Sequence, residues 1–86
     1  MSNRKHPRTV LNNELQSIFG GAVDDHVKWV ISSSGSPSSP IWRATIMIDD
    51  MKYGHAEALT KGAAQDEAAR QAYDYLRREQ MARRGY

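Results

Sequence analysis

Lys61 follows Thr60 at the point where a strand-like pattern gives way to a helical one, which places both residues at a helix start. A threonine there caps the helix, its hydroxyl accepting a backbone N–H that has no partner inside the first turn. A lysine one residue later meets the positive end of the macrodipole, a placement disfavoured by about 0.3–1 kcal/mol when exposed. An anion docked at that end reverses the sign, because helix starts and lysines both attract phosphate. Three amides, Asn12, Asn13 and Gln16, lie on the polar flank of an earlier amphipathic segment, where each can donate and accept hydrogen bonds. Without a partner they are solvated positions.

The remaining chemistry is sparse. Cysteine is absent, which excludes disulfides, thiolate metal ligands and thiol catalysis. His6, His26 and His55 fall in separate elements without metal-ligand spacing, and no Ser/His/acid or paired-carboxylate constellation can be traced. Gly20-Gly21 follows a helix and lacks a following lysine, so it is no phosphate loop. Asp24-Asp25 and Asp49-Asp50 read as turn residues. The expectation is a non-enzymatic protein with no cofactor and no metal.

The chain has 86 residues, enough for one domain near the size where a single core is only marginally sufficient. No apolar run approaches a membrane span, and the polar start MSNRKHPR is unlike a signal peptide, so an intracellular protein, cytoplasmic or nuclear, is expected. The initiating Met1 and short tails fit a small protein complete in itself. Formal net charge is +2, unevenly spread. Arg4, Lys5 and Arg8 give residues 1–8 a charge of +3, and Arg77, Arg78, Arg83 and Arg84 against Glu79 give residues 77–86 another +3, leaving the body at −4. Any nucleic-acid footprint must rest on the tails or on a local patch.

The elements that position these residues follow from periodicity. After a flexible basic tail over 1–6, Pro7 suits a helix start, and Val10, Leu11, Leu15, Ile18 and Phe19 fall on one helical face before Gly20-Gly21 ends it. An acidic connector, Asp24-Asp25, leads to a strand over His26–Ser32 with Val27, Trp29 and Ile31 on one face. Ser33 to Pro40 reads as a loop of about eight residues, rich in Ser, Gly and Pro. Ile41–Ile48 alternates Trp42, Ala44, Ile46 and Ile48 against Ile41, Arg43, Thr45 and Met47, the pattern of a central strand. Asp49-Asp50 then turns the chain into an antiparallel strand reaching Ala58.

In that last strand Gly54, Ala56 and Ala58 form a face of very small residues, so another element must approach it closely. Ala64, Ala68, Ala72 and Leu76, with Ala69 and Tyr73 beside them, form the stripe of the helix after Thr60, which RREQMARRGY is able to continue. The expected fold is α+β, an α-β-β-β-α two-layer sandwich with both helices on one face of a three-stranded antiparallel sheet. Domain bounds are 7–76, with 77–86 as a basic helical extension.

With that order established, residues 7–76 closely resemble the double-stranded RNA-binding domain family. Tyr53 and Gly54 stand where that family opens its third strand, Ala56 and Ala58 on its small positions, and Thr60, Lys61, Gly62, Ala64, Gln65, Ala68, Ala69, Ala72 and Leu76 fall in register along its second helix. Gly35 precedes Trp42 as the family's loop glycine precedes its strand phenylalanine, and Pro7, Leu11, Asn12 and Gln16 match its first helix. The resemblance implies a three-part clamp on paired RNA. First-helix polar side chains enter one minor groove, the loop between strands one and two enters the next, and second-helix lysines hold the phosphates between.

Carried over, the RNA-binding positions are Asn12, Asn13, Gln16, Ser38, Ser39, Lys61 and Gln65. The lysine motif is degenerate. Only Lys61 is kept, while Gly62 and Gln65 occupy the other two lysine places, Ser38 the loop position that is often histidine, and Asn13 the helix glutamate. The expected partner is double-stranded RNA, recognised by A-form shape, 2′-hydroxyls and phosphates without sequence preference. The alternative is a degenerate fold used for protein association or homodimerisation, with Val30, Ile41, Met47 and Tyr53 as an apolar patch on the sheet face away from the helices.

Overall fold

A computed structural model describes residues 6–84 of the chain. Apart from His6, the basic tail expected over 1–6 lies outside the described residues, as do residues 85–86. Helix α1 spans Pro7–Phe19, a one-turn helix α2 spans Val23–His26, strands β1, β2 and β3 span Val27–Ser36, Ser39–Ile48 and Met51–Ala58, and helix α3 spans Lys61–Arg84. The strands form one antiparallel sheet in the order β1-β2-β3, and the two long helices cover one of its faces. This is the α-β-β-β-α sandwich that the periodicity implies.

The helix starts and stops are local chemistry. Pro7 begins α1, and the His6 Nδ1 accepts the Arg8 backbone N–H at 3.3 Å. Gly20, at φ 59°, closes α1 with its own N–H on the Gln16 carbonyl. Thr60 caps α3 as its hydroxyl predicts, accepting the Ala63 N–H at 3.1 Å.

Packing explains the small residues. Leu11 and Leu15 of α1 meet Ile46 and Ile48 of β2 and Ala69, Ala72 and Leu76 of α3 in one core cluster. A second cluster joins Ala44, Ala56, Ala64 and Ala68. At Gly54 an added Cβ would stand 2.1 Å from the Ala68 carbonyl oxygen, so the backbone of α3 lies directly on that strand. Glycine is required there for space, and Ala64 and Ala68 keep the contact close along the helix.

Three features depart from the expectations. The connector at Asp24-Asp25 is helical and extends through His26, so β1 begins at Val27. Tertiary contacts hold His26 in place: its ring stacks on Phe19 with centroids 4.1 Å apart, and its Nδ1 lies 2.6 Å from the Asp49 carboxylate. The expected eight-residue loop is instead a hairpin with a two-residue turn, Pro37-Ser38. Gly35, at φ 92°, makes this possible, since a Cβ there would stand 2.7 Å from the Ser39 carbonyl. Pro40 is accepted because β2 has only β1 beside it at that point.

The third departure is Tyr53. Ile46 pairs with Gly54 but Met47 pairs with Lys52, so Tyr53 is the extra residue of a β-bulge. The bulge turns its ring away from the outer sheet face and onto the core cluster, where its hydroxyl donates to Glu79 Oε1 at 2.9 Å. Tyr53 therefore does not belong to an outer apolar patch.

Candidate nucleic-acid interface

The order of parts along β2 sets the geometry. From the hairpin tip the strand passes Ala44, under Ala64 and Ala68 near the start of α3, and then Ile46 and Ile48, under Leu11 and Leu15 of α1. The first turns of α3 therefore lie between the hairpin tip and the body of α1. The two long helices run in the same direction, because Arg8 meets Asp66 near their starts and Glu14 and Ser17 share a groove with Arg77 and Gln80 farther along.

Each predicted residue has a definite place in this frame. Asn12, Asn13 and Gln16 are all exposed on α1, and Asn12 and Gln16, four residues apart, share one helical face. Ser38 forms the hairpin turn and Ser39 begins β2, both exposed, with the Ser36 and Ser38 hydroxyls 3.2 Å apart. Beyond Trp42, the last partner of β3, the ladder continues through Ile41, Pro40 and Ser39 alone. The tip therefore projects about 10 Å past β3, at 3.3–3.4 Å per residue.

Lys61 is the first residue of α3 and is exposed, with no acid in that turn and no ion pair among the described residues. Its charge adds to the positive helix end with no acid in the first turn to offset it. Gln65 is only partly exposed, and its Oε1 accepts a hydrogen bond from Arg8 Nη1 at 3.3 Å. Lys61 and Gln65 thus come together with a residue from the other helix, while the amides and the serines form separate groups on either side.

Arg8, counted in the sequence among the cations of the basic tail and not among the motif positions, lies beside Gln65 and Gly62 at the start of α3. Its Nε donates to Asp66 Oδ1 at 2.8 Å, and the same oxygen lies 3.3 Å from His6 Nε2. The neutral imidazole tautomer with its proton on Nε2 satisfies both His6 contacts, since Nδ1 is then free to accept from Arg8. A Cβ built on Gly62 would lie 3.8 Å from Arg8 Nη2, so the guanidinium sits over the place where a side chain at residue 62 would begin. The sequence signal was its place in the basic tail, two residues into a Pro-started helix, and its pairing with Asp66 and Gln65 comes from the fold.

The other surfaces differ in character. On the outer face of the sheet, Arg43 joins Glu57 at 2.6 Å and Ser34 at 3.1 Å, and Thr45 meets His55 at 2.8 Å. These polar groups interrupt the exposed side chains of Val30 and Ile41. At the edge strand β3 the Gln71 amide oxygen accepts the His55 N–H at 3.0 Å, which occupies one otherwise open donor of the edge. Burial, reinforced by the hydrogen bond to Glu79, pushes the Tyr53 phenol up to about 12. Toward the C-terminal end of α3, Arg77 and Arg83 line an open groove with Glu14, Ser17 and Gln80, and Arg77 lies over the Tyr73 ring at 5.8 Å from its centroid.

Among the described residues no group of three His, Asp or Glu side chains is placed to hold a metal ion, and no helix is long and apolar enough to cross a membrane. Compared with known proteins, residues 7–76 match the family model described as the double-stranded RNA binding motif. No curated protein matches the chain.

Proposed function

Because the chain belongs to the double-stranded RNA binding motif family, we propose that it binds paired RNA by its A-form shape, without reading sequence. Asn12, Asn13 and Gln16 contact 2′-hydroxyls in one minor groove, and Ser38 and Ser39 at the hairpin tip do so in the next. Lys61 and Gln65 face the phosphates between, with Lys61 supplying the charge. The observation that carries this reading is the exposed Lys61, without an ion pair among the described residues, at the positive end of α3 between the hairpin tip and α1. Arg77 and Arg83 continue the positive charge along α1, where they extend phosphate contact. An RNA partner also fits an intracellular protein.

The apolar patch proposed for protein association has less support. Tyr53 faces α3, and polar cross-strand contacts separate the apolar side chains that remain. The test of the RNA reading is binding of a perfectly paired RNA of about 20 base pairs, longer than the roughly 16 that such a domain spans. Lys61→Ala is expected to weaken binding about five- to tenfold and to flatten the salt dependence by about one unit of log–log slope. Unchanged affinity and slope in Lys61→Ala would remove the start of α3 from the interface.

A further inference from the structure

We infer that Arg8 is a phosphate-contacting residue of this interface, carried by α1 but acting beside Lys61 at the start of α3. The inference rests on the RNA-binding reading above and adds to it a residue from a different helix. A guanidinium carries five N–H donors in a rigid plane and suits phosphate better than any other side chain. In Arg8 the Nε hydrogen is taken by Asp66 and one Nη1 hydrogen by Gln65. The Nη2 donors have no hydrogen-bond partner among the described residues, and they lie toward Gly62.

The two partners therefore fix the plane of the group without exhausting it. Gly62, with no side chain, leaves the free edge uncovered, and the Arg8 side chain is 39% exposed. Asp66 offsets part of its charge, as a carboxylate behind a phosphate-binding arginine does, and holds it against the loss of rotamer freedom that a free arginine would suffer on binding. Lys61 stands one residue before Gly62 without a counter-ion among the described residues, so one anion is able to meet both cations. Gly62 and Gln65 bring no charge to this face, and Arg8 supplies it from α1.

The test compares the unaltered chain, Arg8→Gln and Lys61→Ala on the same RNA duplex across a salt series, with thermal unfolding of each. Arg8→Gln is expected to fold, to bind about five- to tenfold more weakly, and to lose about one unit of log–log salt slope. Gly62→Lys in the Arg8→Gln chain, whose new Cβ meets no close atom, is expected to restore the slope. A folded Arg8→Gln chain with the affinity and slope of the unaltered one, while Lys61→Ala is weakened, overturns the inference and leaves the RNA reading intact. If the unaltered chain does not bind RNA at low salt, both fall. Should Arg8→Gln fail to fold, side-chain NMR signals of Arg8 in the unaltered chain serve instead: a shift on adding RNA is expected, and an unmoved Arg8 beside a shifted Lys61 overturns the inference.

Discussion

Single side chains in this domain do two kinds of work, and Tyr53 shows the structural kind. Its phenol is half-sheltered, donates to Glu79 and lies against Tyr75 with ring centroids 4.8 Å apart. The protonated form is the one the fold favours, so the folded-state value of about 12 lies above the ordinary 10.0. Between these values the unfolded chain has lost the proton while the folded chain keeps it, and stability falls as pH rises through that window. Below pH 10 the contribution is fully present. Tyr53→Phe is expected to lower stability at neutral pH by about 1 kcal/mol and to remove this component of the alkaline loss, measured by denaturant unfolding at pH 8 and above pH 10. Arg8 and Lys61 are proposed for the other kind, where charge left partly or wholly free on the surface would meet phosphate. The pairing that fixes Arg8 was not legible from its neighbours in sequence, because its partner Asp66 is 58 residues away.

At the scale of elements, the fold depends on how closely α3 lies on β3. Gly54→Ala places a methyl against the Ala68 carbonyl, a backbone atom that moves only if the helix moves. The expected cost is about 1–3 kcal/mol of stability, read from the denaturant midpoint. RNA affinity is expected to fall as well, since α3 carries Lys61. This contact was legible in the sequence, as Gly54, Ala56 and Ala58 alternate on one strand face and Ala64, Ala68 and Ala72 recur on one helix face. The capped start at Thr60 was legible for the same reason, being local chemistry. The hairpin at Pro37-Ser38 and the bulge at Tyr53 were not, because serine-rich composition does not reveal that Gly35 supports a tight ladder, and one extra residue in β3 is visible only through its pairing with β2.

For the whole molecule, charge and shape must be considered together. Net charge is only +2, so nonspecific attraction to a polyanion is modest and the arrangement of contacts decides which duplex is held. The hairpin tip, the start of α3 and the amide face of α1 follow one another along the line of β2. A-form RNA presents two minor grooves with an intervening phosphate track, and 2′-hydroxyls that DNA lacks. The measurement that tests this most directly is binding of the full chain to paired RNA and to DNA of the same sequence, in duplexes of about 10 and about 20 base pairs, at low and physiological salt. The account predicts salt-sensitive binding to the longer RNA, much weaker binding to the shorter, and little to either DNA. Equal affinity for RNA and DNA, or no dependence on duplex length, would contradict a shape-reading clamp and leave only a cationic surface.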